Sequence, residues 1–192
     1  MALVDVPSIP IQRADLDQNA SALFPVPLHD LGVFDAFQTP LPAAGASDDL
    51  GLYGGTHGTN FPYVGTGDVK AATTTRKARF TITLPPNYVP AGNIFIRAKA
   101  GMVTTVSDTS ATIDFAAYKA NGPIITGSDL VTTSAQSVNS LTWANKDFAL
   151  DASGLNPGDE LDVLITIAVT DAATATAVIG AFRVLLGCTI YG

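Results

Sequence analysis

Leu155-Asn156-Pro157-Gly158-Asp159-Glu160-Leu161-Asp162-Val163-Leu164-Ile165-Thr166-Ile167-Ala168-Val169 decides the fold. The Asn-Pro-Gly-Asp run is a turn. After it, Leu161, Val163, Ile165, Ile167 and Val169 share one face of an extended chain, because side chains in a strand alternate with period two. Outward from this strand the same period recurs. Ala78, Phe80, Ile82 and Leu84 alternate with Arg79, Thr81 and Thr83 before Pro85-Pro86-Asn87 stops the run. Ile94, Ile96, Ala98 and Ala100 alternate with Phe95, Arg97 and Lys99, and Ala111, Ile113, Phe115 and Ala117 with Thr112 and Asp114. Weaker strands are read at 124–126 and 131–137, another at 142–150 with Trp143 and Phe148, and a last at 177–190 with Phe182, Val184, Leu186, Cys188 and Ile190 on one side. Nothing keeps a helical period over eleven residues. Seven or eight strands in about 115 residues predict an all-β fold, an antiparallel β-sandwich that is jelly-roll-like.

A charge break near residue 68 sets the predicted domain organisation. Residues 1–69 hold eight acids and one base, Arg13, whereas residues 70–192 hold nine of each. Residues 1–47 carry prolines at 7, 10, 25, 27, 40 and 42, which favour extended backbone. They also carry large apolar side chains, too many for a solvated tail. The reading is an extended acidic docking arm (1–47), a glycine-rich connector (48–68) and the β-sandwich (69–192). Leu3, Val4, Ile9, Ile11, Phe24, Leu28, Phe34 and Phe37 are the expected partner contacts on the arm. The basic run Arg76-Lys77-x-Arg79 reads as a solvated edge or as a counter-surface for an acidic arm.

Composition narrows the function classes. A net charge of −7 argues against nucleic acid. Only 14% of residues are charged, so part of the surface is expected to be covered by neighbours. The single cysteine, Cys188, excludes an internal disulfide and reads as a buried small hydrophobe. The first residues lack a basic and apolar leader, and no apolar run is long enough to span a bilayer, so no membrane partner is expected.

No catalytic constellation is legible, and the chain is read as non-enzymatic, with no cofactor and no metal. His29 and His57 both precede the β region, and His29-Asp30 are neighbours that rarely face each other. The sole glutamate, Glu160, sits between Asp159 and Asp162; Asp159 is expected to cap backbone amides of its turn, with calcium the alternative. Two uses are open to Trp143. It anchors the core or a subunit interface, or it forms a sugar-stacking platform with Tyr118, Tyr88 and Tyr53.

The stretches Arg76-Lys77-Ala78-Arg79-Phe80-Thr81-Ile82-Thr83-Leu84-Pro85-Pro86-Asn87-Tyr88, Ile96-Arg97-Ala98-Lys99-Ala100-Gly101-Met102 and Ser107-Asp108-Thr109-Ser110-Ala111-Thr112-Ile113-Asp114 resemble small virion proteins of tailed bacteriophages. So do Gly67-Asp68, Ala144-Asn145-Lys146-Asp147-Phe148 and Leu155-Asn156-Pro157-Gly158-Asp159-Glu160-Leu161-Asp162-Val163. The resemblance covers roughly residues 48–192 and implies a capsid decoration (cement) or head-fibre protein on the capsid exterior. Such a protein would be made in the host cytoplasm and bridge capsomers, with the major capsid protein or other virion subunits as partners and a homotrimer as the favoured state. A tail or baseplate component and a carbohydrate-binding β-sandwich module are the alternatives.

Overall fold

A computed structural model of the 192-residue chain describes residues 19–67, 69, 71–103, 105–125, 127–172 and 179–191, with the backbone alone for 179–182. It is an antiparallel β-sandwich. The strands are β1 (Asn19–Val26), β2 (Gly51–Tyr53), β3 (Tyr63–Gly65), β4 (Ala72–Thr83), β5 (Ile94–Met102) and β6 (Ser110–Asn121), followed by β7 (Ile124–Ile125), β8 (Gln136–Ser137), β9 (Ala144–Ala149), β10 (Glu160–Asp171) and β11 (Ile179–Tyr191). Among the described residues the helical element is a 3-10 turn, Leu28–Asp30, and no helix is long and apolar enough to cross a membrane.

Sheet A runs β2-β3-β11-β5-β9, with β1 also on β11; sheet B runs β4-β10-β6-β7, with β8 also on β6. The strand that decided the sequence reading is the centre of sheet B. Leu161, Val163, Ile165, Ile167 and Val169 are at most 1% exposed, and they meet Phe80 and Ala78 of β4 and Ala117, Phe115 and Ile113 of β6 at matching register. Across the sandwich, Ile94, Ile96 and Ala98 of β5 and Val184, Leu186 and Cys188 of β11 fill the other half of the core. Phe115 and Phe148 join the halves, their ring centroids 5.0 Å apart. Such interdigitating inner faces are the ordinary core of two packed sheets. Cys188 is buried there as expected, which pushes its thiol pKa up.

The predicted boundaries at 47 and 68 are not boundaries of the fold. Residues 19–26 are a strand of sheet A, and the connector supplies β2 and β3. Between them, residues 31–50 lie along the outer edge of β4. Gly32 exchanges backbone hydrogen bonds with Arg79, the Lys77 amide donates to the Asp48 carbonyl, and the Leu50 amide donates to the Lys77 carbonyl. Leu31, Val33, Leu41 and Leu50 are buried in the core. The physical reason is edge protection: a bare β4 would present unpaired donors and acceptors. The opposite side is closed similarly. Residues 130–137 bond to β6 through Leu130 and to β9 through Thr132 and Gln136, while the Asp129 carboxylate accepts from the amides of Ala117 and Val131.

The basic run on β4 is the counter-surface for this self-docked segment. Arg76 donates to the Ser47 carbonyl, Lys77 sits over the Phe34 ring at 4.8 Å, and Arg79 lies over Phe37 at 5.5 Å while pairing with Asp162 at 2.5 Å. Of the expected arm contacts, Phe24 and Leu28 pack against the protein's own core, and Phe34 and Phe37 against its own cations. Leu3, Val4, Ile9 and Ile11 lie outside the described residues.

Candidate functional site: the outer face of sheet A

Four glycines stand in one row across sheet A. Gly51 pairs with Gly65, Gly65 with Gly180, and Gly180 with Gly101. The outer face therefore has a furrow without side chains. At one end the backbone of Ala44 and Gly45 lies so close to Gly51 that a Cβ would come within 2.2 Å of the Gly45 nitrogen. At the other end Trp143 lies over Gly101, where a Cβ would meet the indole at 3.1 Å. The Trp143 indole N–H donates to the Met102 carbonyl, which fixes the ring.

The furrow lets distant strands share aromatic contacts. Tyr63 is on β3, and Trp143 precedes β9, three strands away, or about 14 Å of backbone separation. Their ring centroids are nonetheless 6.4 Å apart, edge to face at 77°. This is possible because β11 and β5 offer Gly180 and Gly101 between them. Tyr53, paired with Tyr63, stacks on it at 4.9 Å and 8°, and its hydroxyl accepts from the Gly45 amide. Burial, then the neighbouring Tyr53, pushes the Tyr63 pKa up. Offset and edge-on aromatic contacts of this kind add about 0.5–1.5 kcal/mol each beyond area burial.

Beyond the rings the face becomes polar. Lys99 of β5 stands between Arg183 of β11 and Asn145 of β9. The next row is Leu185, Arg97 and Asp147. Arg97 pairs with Asp147 through two hydrogen bonds of 2.5 and 2.6 Å and lies over Phe95, whose ring in turn covers Gly187. The Asp147 hydrogen bond is what chiefly raises the Arg97 pKa.

Beside this face is an apolar cleft of about 480 Å³. β1 pairs β11 only from Val184 onward and β3 only up to Ala181, so the edge of β11 is left open at a bulge between them. Val26, Leu28, Leu52 and Phe61 line the gap, with His29 and Arg183 at its rim. Phe61 is 71% exposed.

The remaining predicted residues fall elsewhere. Tyr88 is fully buried and cannot join a platform. Tyr118 belongs to sheet B, beside Asp162 and Phe34. His29 and Asp30 do face each other, Nε2 to Oδ1 at 3.2 Å, correcting the expectation that neighbours would not; both are exposed. Asp159 caps the Asn156 amide at 2.7 Å as expected, and also pairs with Lys119 at 2.7 Å. Among the described residues no three potential ligands gather to hold a metal ion. Trp143, offered as a subunit anchor, packs within its own sheet. Tyr53, Phe61 and Tyr63 read from sequence as an ordered loop or short strand pair, and β2 and β3 are that pair, but the place of Tyr63 beside Trp143 and the glycine row were missed because they depend on the register of several strands.

No family model matches the chain, and no curated protein does. Among solved structures it is similar to a xylan-binding module, CBM15, at 12% identity and a TM-score of 0.47 over 88% of this chain and 97% of that one. It is similar to the CBM36-1 domain of a multidomain xylanase from the hindgut metagenome of Trinervitermes trinervoides, at 10% identity and 0.42 over 88% and 96%. It is also similar to the structure of infectious bursal disease virus Gx strain, at 15% and 0.30 over 65% and 31%.

Proposed function

We propose that this protein binds a polysaccharide on the outer face of sheet A. The observation that carries the reading is Trp143 laid over Gly101 beside Tyr63, with Lys99, Asn145 and Arg183 next to it. A sugar ring is apolar on its faces and polar on its rim. A flat ring fixed by its own N–H, with donors alongside, matches both parts. Trp143 is the only tryptophan, so its fluorescence reports on the site directly.

The test is titration of soluble xylan, mannan and uronic-acid polymers, followed by calorimetry and tryptophan emission. Binding with a change in emission is expected for at least one polymer. Trp143→Ala and Tyr63→Ala should each weaken it at least about tenfold, or about 1.4 kcal/mol. No binding by the wild type, or unchanged binding by both variants, sinks the reading.

A second reading is a virion structural subunit, as the sequence resemblance implies. It is favoured by exposed apolar side chains on β7, at the far edge of sheet B from the aromatic face, with Ile124 63% and Ile125 41% exposed. It implies a defined homotrimer by native mass spectrometry, and a monomer counts against it.

A further inference from the structure

Hydrogen bonds on one side of β11 fix what lies on the far side of β1. The Thr189 and Tyr191 amides donate to the Asn93 and Asn87 carbonyls, on the side of β5. Successive residues of an antiparallel strand turn their N–H and C=O groups to opposite neighbours. Those of Cys188 and Ile190 therefore face β1, where their partners are Ala22 and Ala20. Asn19, Ser21 and Leu23, one step out of phase, turn theirs to the outer edge of sheet A. Among the described residues no strand or bridge meets that edge. All three residues are exposed, Leu23 by 49%. Pro25 has the same phase, so its missing N–H costs the ladder with β11 nothing, and it closes the open stretch at one end. Elsewhere the chain covers its edges: residues 31–50 line β4, and residues 130–137 bond to β6 and β9. Proteins blunt bare edges with charge, proline or a cover, yet Asn19–Leu23 carries no charge, no proline and no cover among the described residues.

We propose that this edge is a homodimer interface, with β1 of two copies paired antiparallel about a twofold axis at Ser21. Ser21 then lies opposite Ser21 of the partner subunit, and Asn19 opposite Leu23 of the partner subunit. Facing residues of this kind exchange both backbone hydrogen bonds. The register engages all three outward-facing residues, whereas a slip toward Pro25 sets Asn19 against a residue without a donor. A second copy is the occupant because the edge matches itself, as a twofold interface requires. Ala20 meets Ala22 of the partner subunit, and no like charges face each other although each copy carries a net charge of −7. The pairing continues sheet A across the axis. That axis is normal to the sheet, so both copies present Trp143 to the same side.

The experiment measures the mass of the full chain by sedimentation over a concentration series, beside Ser21→Pro and Ser21→Lys. The wild type should be a dimer that dissociates on dilution. Ser21→Pro removes an outward donor but, like Pro25, no bond to β11, and Ser21→Lys sets two cations face to face on the axis. Each should raise the dimer Kd at least about tenfold, while melting like the wild type at dilutions where both are monomers. Hydrogen exchange reads the same edge directly: the Ser21 and Leu23 amides should be protected in concentrated protein and lose that protection on dilution, in step with the mass. A wild-type monomer throughout the series, a trimer, or a dimer that Ser21→Lys retains overturns the inference. Protection at these amides that dilution leaves unchanged gives the edge to another segment of the same chain and overturns it equally.

Discussion

On the outer face of sheet B, Arg79 is paired with Asp162 and roofed by Phe37, and Lys77 is roofed by Phe34. On the outer face of sheet A, Trp143 and Phe95 lie over glycines, and Lys99 stands opposite Arg183. The two sheets share one alternating pattern and one core. The first face is finished by the chain itself, because residues 31–50 fold back across β4 and bring their own aromatics. The second meets the same segment at one end alone, where Ala44 and Gly45 lie over Gly51 and the Gly45 amide donates to Tyr53, and its rings are arranged by a row of glycines. A polar strand face is therefore not a function in itself; what distinguishes the two is which groups roof it, returning aromatics over cations on sheet B and rings over glycines on sheet A.

Detaching the cover of sheet B should have the largest effect on stability. Leu31 is 1% exposed and anchors the segment that roofs β4. Leu31→Ala should cost about 2–5 kcal/mol in chemical denaturation, as large-to-small core changes do. A loss below 1 kcal/mol, on the order expected of a surface site, would mean the segment is a removable arm. On sheet A, Gly187→Ala places a Cβ 2.2 Å from the Phe95 ring, so ring and backbone must shift. About 1–3 kcal/mol should be lost, as in overpacked cores; an unchanged melt would show that Phe95 is not held over the strand.

A smaller contrast compares two cations. Arg79→Ala leaves Asp162, whose side chain is 15% exposed, without its partner, and should cost about 1–2 kcal/mol. Lys99→Ala should fall within about 0.5 kcal/mol or stabilise, because it removes a like charge from opposite Arg183. Equal losses in paired melts would erase the distinction between the faces. The smallest effect is electrostatic. Burial, against the Phe115 amide bond and with Asp129 nearby, raises the Asp114 pKa above 3.8. The folded state then holds its proton to higher pH than the unfolded state, so this group's contribution to stability falls as pH rises through that window. Asp114→Asn should be more stable than wild type at pH 7, with the gap closing as pH drops below about 4. A gap independent of pH would assign the effect to packing.

How much was legible follows from which forces are local. The strands β4, β5, β6, β10 and β11 announce themselves because one face of each is buried, and burial writes period two into the sequence. The segment from 19 to 50 shows no such period: β1 is an edge strand that pairs β11 along its length but buries only Val26 fully, and residues 31–50 meet β4 through isolated bridges. Its apolar residues did signal that they wanted a surface. That the surface is the edge of β4 depends on pairings between Gly32 and Arg79, which no local pattern encodes. The aromatic site was half legible: Trp143 and Tyr53 were singled out, whereas Tyr63, Tyr88 and Tyr118 could be sorted only by strand register. The glycine row is a property of four strands together and is invisible in any one.

The pairing of β1 with β11 has a mechanical consequence. Asn19 lies opposite Tyr191, so the two ends of the described chain emerge at one corner of the sandwich. Tension applied between those ends pulls an antiparallel pair apart from its open end. Its hydrogen bonds then break in sequence, as in a zipper, rather than together in shear. The molecule should yield to a weak pull along this axis, however well its core resists heat, and a particle or fibre that loaded it through both ends would be loading its softest seam.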